Sequence, residues 1–157
     1  MADIGKLLSA VKLQLAIVIV LGIISAAITY MAYSGISTVE DMLALAASPV
    51  MLVSSVLWLV GLIVIIWAGY VAAKTVKGGA VDGGLAGALI GVISGIIDGI
   101  ISLAAIMPLM AKIYAAVPMM SGALASAGAI SLVFGIIVAA IIGFILGAIG
   151  GFIGRNK

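Results

Sequence analysis

The chain has 157 residues, 66 % of them apolar and only 8 % charged, with seven Lys/Arg against five Asp/Glu. A soluble domain carries about a quarter charged residues, so the composition is that of an integral membrane protein, read as a single membrane domain over residues 1–157. The sequence has no Cys and no His, which excludes disulfides, thiol nucleophiles, histidine triads and the common zinc and haem ligand sets; no enzyme, cofactor or metal site is expected.

Four continuous apolar runs follow one another: residues 13–33, 49–73, 85–107 and 129–153. Each is long enough to cross a bilayer as a helix, which takes about 20 residues. Their lack of alternation argues against barrel strands. The expected fold is all-α: a four-helix transmembrane bundle in contact with lipid. The first run follows Lys6 and Lys12, as a signal peptide would. It is longer than an ordinary signal core, and Tyr30-Met31-Ala32-Tyr33 is a poor cleavage site, so it reads as a retained signal-anchor helix.

Between the first two runs, Ser37-Thr38-Val39-Glu40 has the spacing of a capping box. It predicts a short helix over 41–47, stopped by Pro49. Pro108 opens a second short helix over 109–117, which Pro118 closes. Two readings of this pair stay open: helices lying at the outer membrane surface, or a lid over a cavity. The small residues of 121–128 suit a turn into the last run.

Basic residues set the direction of the chain. Lys6, Lys12, Lys74, Lys77, Arg155 and Lys157 fall on one side of a four-span protein; Lys112, Glu40 and Asp41 fall on the other. Lys and Arg accumulate in cytoplasmic segments, so both termini are expected in the cytoplasm, with the protein a multi-pass component of the cell membrane. Tyr30 and Tyr33 then reach the outer interface.

The third run carries Gly83, Gly87, Gly91, Gly95 and Gly99, one at every fourth position. The fourth carries Ser131, Gly135, Ala139, Gly143, Gly147 and Gly151 at the same spacing. Lipid supplies no hydrophobic drive for helix association, so close van der Waals packing between small residues has to provide it. The pattern predicts glycine-zipper packing of the third and fourth membrane helices, or of one ladder against another subunit. A homo-oligomer or a larger membrane complex is therefore expected.

The stretch Ala68-Gly69-Tyr70-Val71-Ala72-Ala73-Lys74, with Gly78-Gly79-Ala80-Val81-Asp82-Gly83-Gly84-Leu85-Ala86-Gly87-Ala88 and the ending Gly147-Ala148-Ile149-Gly150-Gly151-Phe152-Ile153-Gly154, resembles a group of small glycine-rich prokaryotic membrane proteins, many archaeal, of unknown function. The resemblance implies four membrane helices and a prokaryotic source, and no activity. Four-span proteolipids of rotary ATPases are also glycine-rich with a lone intramembrane acid, but theirs lies off the glycine-ladder helix, and the acid here lies on it.

That acid is Asp98, the one Asp, Glu, Lys or Arg inside a run. A charge at such depth costs about 3 kcal/mol or more. Ser94, Asp98 and Ser102 form a polar row at four-residue spacing. Ser25, Thr29, Ser54, Ser55 and Ser131 place hydroxyls at similar depth on the other runs. Three roles remain open: a protonated strut between helices, a contact for another subunit, or a site that binds or relays H+ or Na+. The leading expectation is a non-catalytic membrane protein, self-associating or an accessory subunit of a membrane assembly. The alternative is a conduit or ion-coupled transporter component using Asp98.

Other features carry less. Gly78-Gly79 and Gly83-Gly84 flank Asp82 without a Gly-Lys-Ser/Thr, so they read as a turn rather than a phosphate loop. Met107, Met110, Met119 and Met120 read as adaptable apolar filler rather than a Cu(I) site. Trp58 and Trp67 read as packing against helices or lipid, and the scattered basic residues offer no nucleic-acid surface.

Overall fold

The structure, a computed structural model, describes residues 3–36, 38–115 and 121–155. The described elements are all helical: α1 (Ile4–Ser34), α2 (Val39–Ala46), α3 (Pro49–Val76), α4 (Ala80–Ile101), a π-helical turn (Ser102–Ile106), α5 (Met107–Ala115) and α6 (Ser121–Arg155). Four stretches are long and apolar enough to cross a membrane: Ile4–Ser34, Pro49–Val76, Ala80–Lys112 and Leu132–Arg155. The chain is thus a multi-pass helical membrane protein.

Local chemistry explains where the helices begin and stop. The Asp3 carboxylate caps α1 by accepting from the Gly5 N–H at 2.9 Å. Pro49 opens α3, where a missing N–H costs nothing. Lys77 closes α3 in the left-handed conformation, φ 51°. Glycine at the α4 N-cap is served by Asp82, whose carboxylate accepts from the Gly79 N–H at 3.4 Å.

Several expectations shift. The capping box before α2 is built one residue later than expected. Thr38 Oγ1 accepts from the Asp41 N–H at 3.1 Å, and Asp41 Oδ2 accepts from the Thr38 N–H at 2.9 Å. The pair Thr38/Asp41 has the same spacing as Ser37/Glu40, and Ser37 lies outside the described residues. The segment 121–128 is helical rather than a turn: it is rich in Ala, the strongest helix former, and its two glycines do not outweigh that. Pro108 does not begin a separate helix. The third membrane helix runs through it after a π turn, in which the Met107 N–H bonds the Ser102 carbonyl. Pro108 has no N–H, and its ring crowds the carbonyl four residues back. The wider turn just before it accommodates both effects. Pro118, Met119 and the Ser131 side chain lie outside the described residues.

Among the described residues the bundle is tightest at one end. Helices α3 and α4 pack together between α1 and α6. The fully buried side chains Leu7 and Val11 of α1 meet Ala68 and Ala72 of α3 and Ala86 and Ile90 of α4. These residues sit near the chain termini and the α3–α4 turn, hence the terminal end. Arg155 reaches the same end, its Cδ lying 3.5 Å from where a Gly79 Cβ would stand. No buried residue occurs toward the opposite, α2 end among the described residues of the spans.

Candidate functional site

Small residues create the tight end. A Cβ built at Gly83 would lie 2.6 Å from Gly151 Cα, and one at Gly87 would lie 2.9 Å from Gly147 Cα and overlap the Gly143 carbonyl. At Gly91 it would overlap the Ala139 carbonyl. Beyond that point α4 and α6 diverge. Gly95 would meet Ile136 Cα at 3.4 Å, an ordinary contact, and Gly99 meets the Leu132 side chain rather than backbone. A Cβ at Gly135 would have nothing within 4 Å among the described residues, so its expected packing role is not met among them. A second contact was not expected from the sequence. Gly69 of α3 faces the Gly147 carbonyl, and Gly150 and Gly154 of α6 face Ile66 and Tyr70 of α3. The four-residue step between Gly150 and Gly154 was its only signal.

Where the helices part, a partly open cavity of about 460 Å³ forms. It draws on all four membrane helices. The polar lining is Ser25 and Thr29 from α1, Ser94 and Asp98 from α4, and Ser102 from the π turn. Its floor is shared with the core through Ile65. A second cavity of about 280 Å³ lies on the α4–α6 side, and Asp98, Ser102 and Gly135 line both. Asp98 thus stands between the two, near the middle of its span.

The carboxyl of Asp98 rests against α1 at Gly22. A Cβ there would come within 2.7 Å of Oδ1 and 3.6 Å of Cγ, so a side chain at this position would turn the carboxyl aside. Gly22 was not singled out from the sequence, because nothing local marks it as facing α4. Among the described residues no hydrogen bond or ion pair reaches the Asp98 carboxyl, and Asp98 is exposed in the isolated chain. An intrachain strut would require a partner within hydrogen-bond reach. The Ser94 hydroxyl donates to the Gly91 carbonyl at 3.3 Å rather than to the acid.

The remaining predicted residues separate from this group. Ser55 donates to the Met51 carbonyl at 2.9 Å, and neither Ser54 nor Ser55 lines either of these two cavities. Trp58 lies on the wall of the larger cavity; Trp67 does not. Met107 borders the smaller cavity. No α2 residue lines either cavity among the described residues, so a lid formed by α2 finds no support. No group of three or more metal-binding carboxylates occurs among the described residues. A scan of protein-family models finds none that matches the chain, and neither curated proteins nor solved structures give a match.

Proposed function

We propose that this is a non-catalytic membrane protein that exchanges a proton for another cation at Asp98, as a component of a transporter. One observation carries the reading: an unpartnered carboxyl on a cavity to which every membrane helix contributes. An acid buried for packing alone gains nothing from facing open space. An acid that must be reached, and must give up its proton, needs access. The closed core beneath the cavity argues against a static pore and for a binding site reached from one side. With both termini cytoplasmic, as the basic residues imply, that side is the outer one.

The glycine ladders fit this role as a zipper. They clamp α4 to α6 at the terminal end and leave the α2 end free to splay. A second reading, a self-associating or accessory subunit, draws on Gly135. Its ladder position has no partner among the described residues, and another subunit's helix would fill it.

Infrared titration tests the first reading. The carboxyl band that disappears in Asp98→Asn should titrate reversibly in the folded wild-type protein in lipid. A band that stays unchanged by pH while the fold persists would refute proton exchange at Asp98.

A further inference from the structure

Resting on the reading of Asp98 as a cation site, we propose that the cavity takes an organic monocation with an apolar body, such as a protonated amine or a phosphonium, rather than a bare alkali ion. Size comes first. The volume of about 460 Å³ falls in the range of small-molecule pockets, about 300–1,000 Å³.

Lining chemistry comes second. A bare Na+ in a membrane needs its hydration shell replaced by a close cage of several oxygens, as in ion filters. Here a single carboxyl faces a few separated hydroxyls, and most of the wall is apolar: Leu57, Leu62, Ile65, Ile101 and Val138 among others. An organic cation needs no such cage. Its charge is spread, its body gains from apolar contact, and one counter-charge neutralises it.

Charge and aromatic character come third. Asp98 is the one ionisable residue lining either cavity among the described residues; the surfaces of α1, α3 and α6 that face it contribute no Lys, Arg, Asp or Glu. One carboxylate balances one positive charge, so a dication would be left partly unpaired. Trp58 lines the same cavity from α3, and an indole attracts cations, organic ones included. Gly61 lies beside it on the lining with open space within 4 Å of where its Cβ would be, which leaves room for a ring-sized group.

Binding would then displace the carboxyl proton. At a pH where Asp98 is protonated, the cation enters, the O–H bond of the acid breaks, and the proton leaves to bulk water. The ion pair replaces the neutral acid, and charge is conserved at the site.

The test uses the full chain in lipid nanodiscs, with tetraphenylphosphonium as probe and triphenylphosphine oxide as its neutral counterpart, measured by equilibrium dialysis. The expected result is saturable phosphonium binding that a hundredfold excess of Na+ does not displace. Asp98→Asn should weaken it at least tenfold. Gly61→Leu, which fills the cavity and keeps the acid, should weaken it as well. The Gly61 variant also keeps the test decisive should Asp98→Asn fail to fold. Equal binding of the neutral oxide, or phosphonium binding indifferent to both variants, would overturn the proposal as simple partition into an apolar space. Na+ binding that depends on Asp98, without phosphonium binding, would overturn the organic-cation assignment and leave the cation site standing. No Asp98-dependent binding of either cation, together with a carboxyl band that does not titrate, would remove both readings.

Discussion

Two glycines of matching sequence pattern should respond to the same substitution with opposite signs. Gly87 and Gly135 both sit on four-residue ladders of small residues. A methyl group at Gly87 would stand 2.9 Å from Gly147 Cα and overlap the Gly143 carbonyl. Carbon atoms pack best at about 3.5–4.0 Å. Both obstacles are backbone, which cannot rotate away, so α4 and α6 would have to part by on the order of 1 Å, a gap that forfeits up to about half of each contact's attraction. Overpacking of this kind costs about 1–3 kcal/mol. At Gly135 nothing among the described residues lies within 4 Å of an added Cβ, so Ala meets no obstacle there and gains helix propensity of up to about 1 kcal/mol. That propensity gain applies to both variants and cancels in their difference, which isolates the steric cost. The assay is reversible unfolding in mixed detergent micelles followed by tryptophan fluorescence. Gly87→Ala is expected to be less stable than Gly135→Ala by about 1–3 kcal/mol. Equal stability, or the reverse order, would refute the close approach of α4 and α6.

Two further outcomes can be checked independently. With Lys77→Cys and Lys112→Cys in otherwise cysteine-free chains, an impermeant thiol reagent applied to intact cells should label position 112 and spare position 77 until the membrane is permeabilised; the opposite pattern would invert the inferred orientation. Gln14 is 3 % exposed in the core, and its Oε1 has no hydrogen-bond partner among the described residues. Gln14→Leu should raise the unfolding midpoint, corresponding to about 1 kcal/mol or more, because an unsatisfied buried polar group is removed; a lowered midpoint would mean that the amide has a partner in the assembled protein.

Much of the architecture was legible because hydropathy and length constrain helices in lipid strongly. The runs at 13–33 and 49–73 fall inside α1 and α3 with little error at their outer ends. What the runs missed is amphipathic. Leu7 and Val11 lie before the continuous apolar stretch, among Lys6, Ser9 and Lys12, yet both are fully buried. Their spacing, continued by Gln14, Val18, Gly22, Ser25 and Thr29, traces one face of α1 from the core to the cavity. A window that averages hydropathy erases that face; counting steps of three and four recovers it.

The site was only half legible for a related reason. Ser94, Asp98 and Ser102 share a helix face by spacing alone, so their row could be read directly. Whether Ser25 and Thr29 or Ser54 and Ser55 would join them depends on how neighbouring helices rotate, which no local pattern specifies. The structure brings in the α1 pair and leaves the α3 pair out.

The size of the side chains explains why the cavity lies where it does. At the terminal end, α3 presents Ala68, Gly69 and Ala72, α4 presents Gly83, Ala86 and Gly87, and α6 presents Gly147, Gly150 and Gly151, most of them buried. Backbones approach to contact there because no side chain intervenes. Toward the α2 end the same helices carry Leu57, Trp58, Ile101 and Val138, which hold the backbones apart without filling the space between them. A gradient from small to large along three helices makes a wedge, open where the large residues lie. Asp98 sits just past the point where close backbone contact stops, at Gly91. About two turns deeper, at Gly91, a carboxyl would have to enter the packed interface; several turns farther out, bulk water would screen it. The acid thus occupies the depth at which the wedge has opened enough to leave it on the cavity wall rather than inside the packed interface.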